Sequence, residues 1–141
     1  MDITKWNRKE EWRRDGKNFR VTVSRHEIDW ARDGEGPHRW CVYAYIYPKH
    51  PTFATFDLSP EAVWSYWGQP TPAMHGGCTF FKVHRKDDGE ACSVQYGADY
   101  SHAWDEHYYR MATPQDAYSV FNDAEELYEM LLSHEASEAT P

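Results

Sequence analysis

Arg39-Trp40-Cys41-Val42-Tyr43-Ala44-Tyr45-Ile46-Tyr47 is the stretch on which the fold turns. Its residues separate into two clean faces at a period of two, which is the pattern of a β-strand. Trp40, Val42, Ala44 and Ile46 make an apolar face that belongs against a core. Cys41, Tyr43, Tyr45 and Tyr47 make the other, with tyrosines about 6–7 Å apart along the strand. This second face reads either as cross-strand aromatic packing or as the stacking, hydroxyl-bearing wall of a ligand cleft. Tyr43 and Tyr45 are therefore candidate ligand contacts.

On the N-terminal side, Asp33-Gly34-Glu35-Gly36-Pro37 breaks the chain. Before it, Phe19, Val21 and Val23 alternate in a half-buried strand over residues 19–28. Residues 1–18 are polar, punctuated by Trp6 and Trp12, and read as an N-terminal arm or a short helix. On the C-terminal side, Pro48-Lys49-His50-Pro51 ends the strand and residues 52–74 form a long excursion. Within it, Ser59 as N-cap and Pro60 at the first helical position open a short helix to Trp67.

Residues 78–84 and 92–98 flank Asp88-Gly89, a hairpin signal. Thr113-Pro114-Gln115-Asp116 then opens a helix with a capping pattern. Val120, Phe121, Ala124, Leu127, Tyr128 and Leu131 recur at helical spacing as its buried stripe. Asp116, Asp123 and Glu126 fall on the opposite, solvated side, and residues 134–141 read as a frayed tail. The architecture is α+β: one domain over residues 19–133, an antiparallel sheet of about four strands, and a C-terminal amphipathic helix on one face. No internal repeat interrupts it.

A chain of 141 residues suits one domain. Apolar residues make up 40% and aromatics 16%, so the core is built largely on rings, with Tyr and Trp at its edge or lining a cleft. The net charge of −8 is unevenly placed: residues 87–141 carry 13 acids and one basic residue, Arg110. That acidity reads as a solvated helix, or as a surface offered to a host protein with a basic groove. Direct nucleic-acid binding is not expected of it, since phosphate contacts need clustered Lys and Arg. Cys41, Cys78 and Cys92 are odd in number and lack C-x-x-C spacing, against a disulfide framework or a zinc knuckle. No apolar run approaches the ~20 residues of a membrane span, and Met1 opens no signal region. The expected compartment is a reducing cytoplasm, without membrane contact.

Two segments carry potential chemistry. Met74-His75-Gly76-Gly77-Cys78-Thr79 places a Gly pair beside a histidine, where backbone freedom permits a tight turn or the close approach of a ligand. Asp99-Tyr100-Ser101-His102-Ala103-Trp104-Asp105-Glu106-His107 spaces Asp99, His102 and Asp105 by three, which on a helix puts them on one face. His75 precedes one hairpin strand and Asp99 follows its partner, so antiparallel pairing brings both to one edge. His75, Asp99, His102 and Asp105 are the candidate ligands for a divalent transition metal such as Zn, Mn or Fe. Without a metal, an Asp-oriented His102 is a general base, or the cluster is a hydrogen-bond network that orders a loop. No cofactor is certain.

The ordered motifs Trp40-Cys41-Val42-Tyr43 with Pro48-Lys49-His50-Pro51, His75-Gly76-Gly77-x-Thr79, and Gly97-x-Asp99-x-x-His102-x-x-Asp105, followed by an acidic helix, resemble a group of small uncharacterised proteins of phages and mobile elements. The resemblance covers about two-thirds of the chain. The group has W-C-G-Y, P-x-H-P, H-G-G-x-T and G-F-D-C-A-H-x-x-D in these places. Ala98 and Tyr100 stand where it has Phe and Cys, and the excursion after Pro51 also departs. The resemblance implies a setting, not an activity, and draws interest to His50 beside the other four residues. It leads to the expectation of a counter-defence accessory protein acting by binding in the host cytoplasm. The target is a host immune protein such as a CRISPR effector, or a sequestered nucleotide-type signal held at His75, Gly76, Gly77, Asp99, His102, Asp105, His50, Tyr43 and Tyr45. The alternative is a small metal-dependent hydrolase.

Overall fold

The computed structural model describes residues 9–28, 35–59 and 69–139. β1 (Lys9–Asp15), β2 (Phe19–Glu27), β3 (His38–Ile46), β4 (Phe80–Arg85) and β5 (Ala91–Asp99) form one antiparallel sheet in the order β1-β2-β3-β5-β4. A single described α-helix, α1 (Tyr118–Ala139), packs against it. The α+β expectation holds, with five strands rather than four.

β3 is central, and its faces divide as the alternation requires. Trp40, Val42, Ala44 and Ile46 are almost wholly buried against Val120, Ala124, Leu127 and Leu131 of α1. Phe19, Val21 and Val23 of β2 join them from the neighbouring strand. In the β4–β5 hairpin, Gly89 takes φ +89°, where a side chain is disfavoured, and its amide donates to the Lys86 carbonyl at 2.9 Å. At the start of α1, the Asp116 amide donates to the Thr113 hydroxyl at 3.2 Å, so the anticipated cap forms one turn before the regular helix.

Two expectations change. Residues 9–15, read as part of an arm or short helix, are the edge strand β1. Its mostly exposed polar residues suit an edge, and Trp12 anchors it by stacking on Trp40 at 5.6 Å and meeting Phe121 edge-on at 5.5 Å. Residues 134–139, read as a frayed tail, continue α1, with Glu135 accepting a hydrogen bond from the Asn18 amide at 2.9 Å. The helix expected from Ser59 to Trp67 lies outside the described residues from position 60 onward. On either side of it, Gln69 closes the loop: its amide group accepts from the Asp57 amide at 3.0 Å and donates to the Asp57 carbonyl at 2.9 Å. No described helix is long and apolar enough to cross a membrane.

The segment after β5 is pinned to the end of β3. The Tyr100 amide donates to the Trp40 carbonyl, and the Trp40 indole donates to the Met111 carbonyl, both at 2.9 Å. Arg39 lies 3.5 Å over the Tyr109 ring within a 3-10 turn, Glu106–Arg110. These contacts fix residues 100–111 as a cap on one end of the sheet.

Candidate functional site

Asp105 stands at the centre of the site, fully buried. One carboxylate oxygen accepts from His75 Nε2 at 2.7 Å. The other accepts from His102 Nδ1 at 2.7 Å and from the His102 amide at 2.9 Å. Burial pushes this carboxyl up, but the His102 amide, the His102 ring and the His75 ring more than offset it, and Asp105 is held below its ordinary range. An ionised carboxylate only accepts, so the nitrogens facing it carry the protons. His75 Nδ1 and His102 Nε2 are then the ring nitrogens left facing away from that carboxylate.

Local sequence explains how the two histidines meet. The Gly77 amide donates to the Met74 carbonyl at 2.9 Å, closing a turn in which Gly76 has φ +67°. That is the third position of a type II turn, where φ must be positive. A Cβ on Gly76 would sit 2.4 Å from His102 Cε1, so the group that approaches this glycine is the His102 ring. Gly77, at φ +87°, faces open space. Stacking completes the support: His75 lies on Tyr100 at 4.1 Å and 12°, and His102 on Trp104 at 4.7 Å and 6°.

His75 also borders a cavity of about 440 Å³ between α1, β5 and residues 72–75. Val42, Ala98, Leu127, Met74 and Met130 give it an apolar lining, with Tyr100, Asp123 and Glu126 as its other polar members. Tyr100 donates to Asp123, and its ionisation is pushed far up, first by burial and then by that carboxylate. Asp123 and Glu126 are thus not merely on a solvated side of the helix.

The predicted site residues separate. His75, Gly76, His102 and Asp105 come together. Asp99 does not join them at bonding distance, because residues 100–105 form a turn rather than a helix and strand parity sends its side chain away from Tyr100. It accepts from the Thr79 hydroxyl at 3.1 Å and the Ser101 amide at 3.0 Å, and lies 3.9 Å from His102 Nδ1. His50 follows β3 at Ile46, the end of the sheet away from the Cys41–Asp99 pair. It is a buried core histidine: Nε2 donates to the Leu131 carbonyl at 3.0 Å and Nδ1 accepts from the Thr52 amide at 3.2 Å. Tyr43 and Tyr45 point from the sheet face opposite α1 and so do not wall the cavity. The residues that sequence reasoning missed are Tyr100, Trp104 and Asp123; only their proximity to His75 and His102 in the fold marks them.

The ligand atoms of His75, His102 and Asp105 lie within 4.8 Å of one another, close enough to hold a metal. Their hydrogen-bonded contacts of 2.7 Å are shorter than the ~3.3 Å between ligands of a tetrahedral ion with bonds near 2.0 Å. A metal at these atoms must displace both ring protons and lengthen the two His–Asp105 contacts by roughly half an ångström. No protein-family model matches this chain, and neither a curated protein nor a solved structure matches it.

Proposed function

We propose that this protein acts by binding a small molecule in the cavity beside His75, and that its His/Asp cluster builds the cavity wall rather than driving a reaction. The observation that carries this reading is the cavity's lining, an apolar wall with two carboxylates, Asp123 and Glu126, beside His75; Asp105, accepting from three donors of the chain itself, holds the two rings in place. A carboxylate so engaged fixes the orientation of two rings. The lining defines the ligand class. An apolar body fits among Val42, Leu127 and Met130, and a positively charged head group meets Asp123 and Glu126. The same two carboxylates oppose a phosphate, which weighs against a nucleotide in this cavity.

The order of the sequence motifs supports a phage or mobile-element accessory setting in a bacterial cytoplasm. There, sequestering a host ligand is a counter-defence activity. Direct inhibition of a host protein, such as a CRISPR effector with a basic groove, draws less support from the geometry: Glu125 and Glu129 of α1 already face Arg14.

Titration calorimetry with hexylammonium chloride tests the reading. Binding by the wild type, lost in Met130→Trp and weakened in Glu126→Gln, is expected. Heat without these dependences, or none at all, overturns it. The metal-dependent hydrolase is the second reading, favoured by the compactness of the His75, His102 and Asp105 trio. Elemental analysis of untagged, chelator-free protein decides it: under about a tenth of an equivalent of any transition metal removes it.

A further inference from the structure

We infer that the sheet face opposite α1 is a stacking platform for single-stranded nucleic acid, separate from the His75 cavity. Side chains of directly paired residues share a face, so the strand register spells out what this face presents. One row across the sheet reads Arg13, Thr22, Tyr43, Gly97 and Phe80. The next reads Asp15, Arg20, Tyr45, Gln95 and Lys82. Aromatic rings therefore sit in the middle and on the β4 side, with arginines on the β1–β2 side and a lysine on the other.

The rings lie in a manner suited to stacking. A Cβ on Gly97 would be 2.3 Å from Tyr43 Cδ1, so the Tyr43 ring lies down over the neighbouring strand. This glycine is what leaves room for it. Phe80 meets Tyr43 edge-on at 5.4 Å and is 37% exposed, and Tyr45 pairs with His84 at 6.1 Å and 25°. Tyr43 and Tyr45 are two residues apart on one strand, a step of about 6–7 Å that an extended single strand can follow.

Charge favours the same occupant. The acidity that counts against nucleic acid in the whole sequence is concentrated in α1, which bears acids and no Lys or Arg and lies on the other side of the sheet. Over the whole face the register sets Lys9, Arg13, Arg20, Arg39 and Lys82 against Glu11, Asp15 and Asp99, an excess of cations, with Asp15 pairing Arg20 at 2.6 Å. Arg13 and Lys82 are exposed. Rings that accept any base, flanked by cations that accept phosphates, are the parts of a sequence-tolerant single-strand site.

Fluorescence anisotropy of the full chain with fluorescein-labelled oligo-dT and oligo-U tests this, the two arms separating DNA from RNA. The expected result is binding to at least one, weakening as salt rises. Phe80→Ala and Tyr43→Ala should each weaken it roughly tenfold. Tyr43→Phe, which keeps the ring, should not, and Lys82→Glu should lessen the salt dependence. His75→Ala should leave binding unchanged. No binding to either oligonucleotide at about 100 µM protein overturns the inference. So does equal affinity for a duplex, or wild-type binding by a Phe80→Ala variant whose melting is also unchanged.

Discussion

Removing the Asp105 carboxylate should be among the most damaging single changes at the site. It is fully buried and accepts three hydrogen bonds, two at 2.7 Å and one at 2.9 Å. Asp105→Ala leaves three donors without that partner. The ring donors belong to side chains 20% and 18% exposed, so water can replace part of what they lose. The His102 amide bears the larger share, and the total comes to about 3–4 kcal/mol. In a chain of 141 residues that is a fall in melting temperature of roughly 10 °C. Asp105→Asn keeps the volume and one acceptor oxygen and lets one imidazole change tautomer, so it should cost about 1–2 kcal/mol. Circular-dichroism melts at neutral pH measure both, and imidazole 15N shifts show whether the tautomers change.

The pH dependence has a fixed sign. Asp105 is held below its ordinary value of 3.8, so its contribution is present above that value. It is lost as pH falls through the lower native one. The gap between wild type and Asp105→Asn should therefore narrow in acid. An Ala variant within about 0.5 kcal/mol of wild type refutes the central role given to this residue.

Gly76→Ala should displace His102 and cost about 2–3 kcal/mol, through both its positive φ and the 2.4 Å approach to the ring. Gly77→Ala meets only the backbone penalty, about 1 kcal/mol, so urea denaturation of the pair separates strain from collision. His50→Phe should lose about 1–2 kcal/mol by removing the bridge between Thr52 and Leu131. It should leave hexylammonium binding unchanged in the calorimeter. Tyr100→Phe should cost about 1 kcal/mol by freeing Asp123. Because the native Tyr100 hydroxyl ionises well above 10, its contribution is present below pH 10 and lost only as pH rises through the native value. Ultraviolet difference titration should accordingly count the same number of tyrosines ionising before alkaline unfolding in the wild type and in Tyr100→Phe.

What the chain made legible follows from how strongly each segment repeats. β3, the β4–β5 hairpin and α1 carry clean periods of two or near four, and each forms about where its pattern lies. β1 has one large apolar residue, Trp12, among seven, and it is a strand because β2 offers it an edge and Trp40 a surface. The meeting of His75 with the residues after β5 was readable from hairpin geometry alone. The exclusion of Asp99 was not, since it depends on residues 100–105 turning instead of coiling. Nor did the sequence separate His50, at one end of the sheet, from His75 at the other. Tyr43 and Tyr45 were correctly set on a face distinct from the apolar one, but which face the cavity uses depends on where α1 docks.

The placement of α1 also explains why net acidity alone is a poor guide to partners here. Its acids with described side chains go three ways. Glu125 and Glu129 lean to Arg14, whose guanidinium rests 3.8 Å over Tyr128, and Glu135 holds the Asn18 amide. Asp123 and Glu126 line the cavity, one of them bonded to Tyr100. The helix thus uses its acidity to fasten β1 on one side and to set the polarity of a binding site on the other. Weakening the first use raises the charge offered to a partner and loosens the edge strand together. Arg14→Ala therefore separates the two ideas of function. A basic-groove partner should bind the variant more tightly, whereas hexylammonium binding in the cavity should be unaltered.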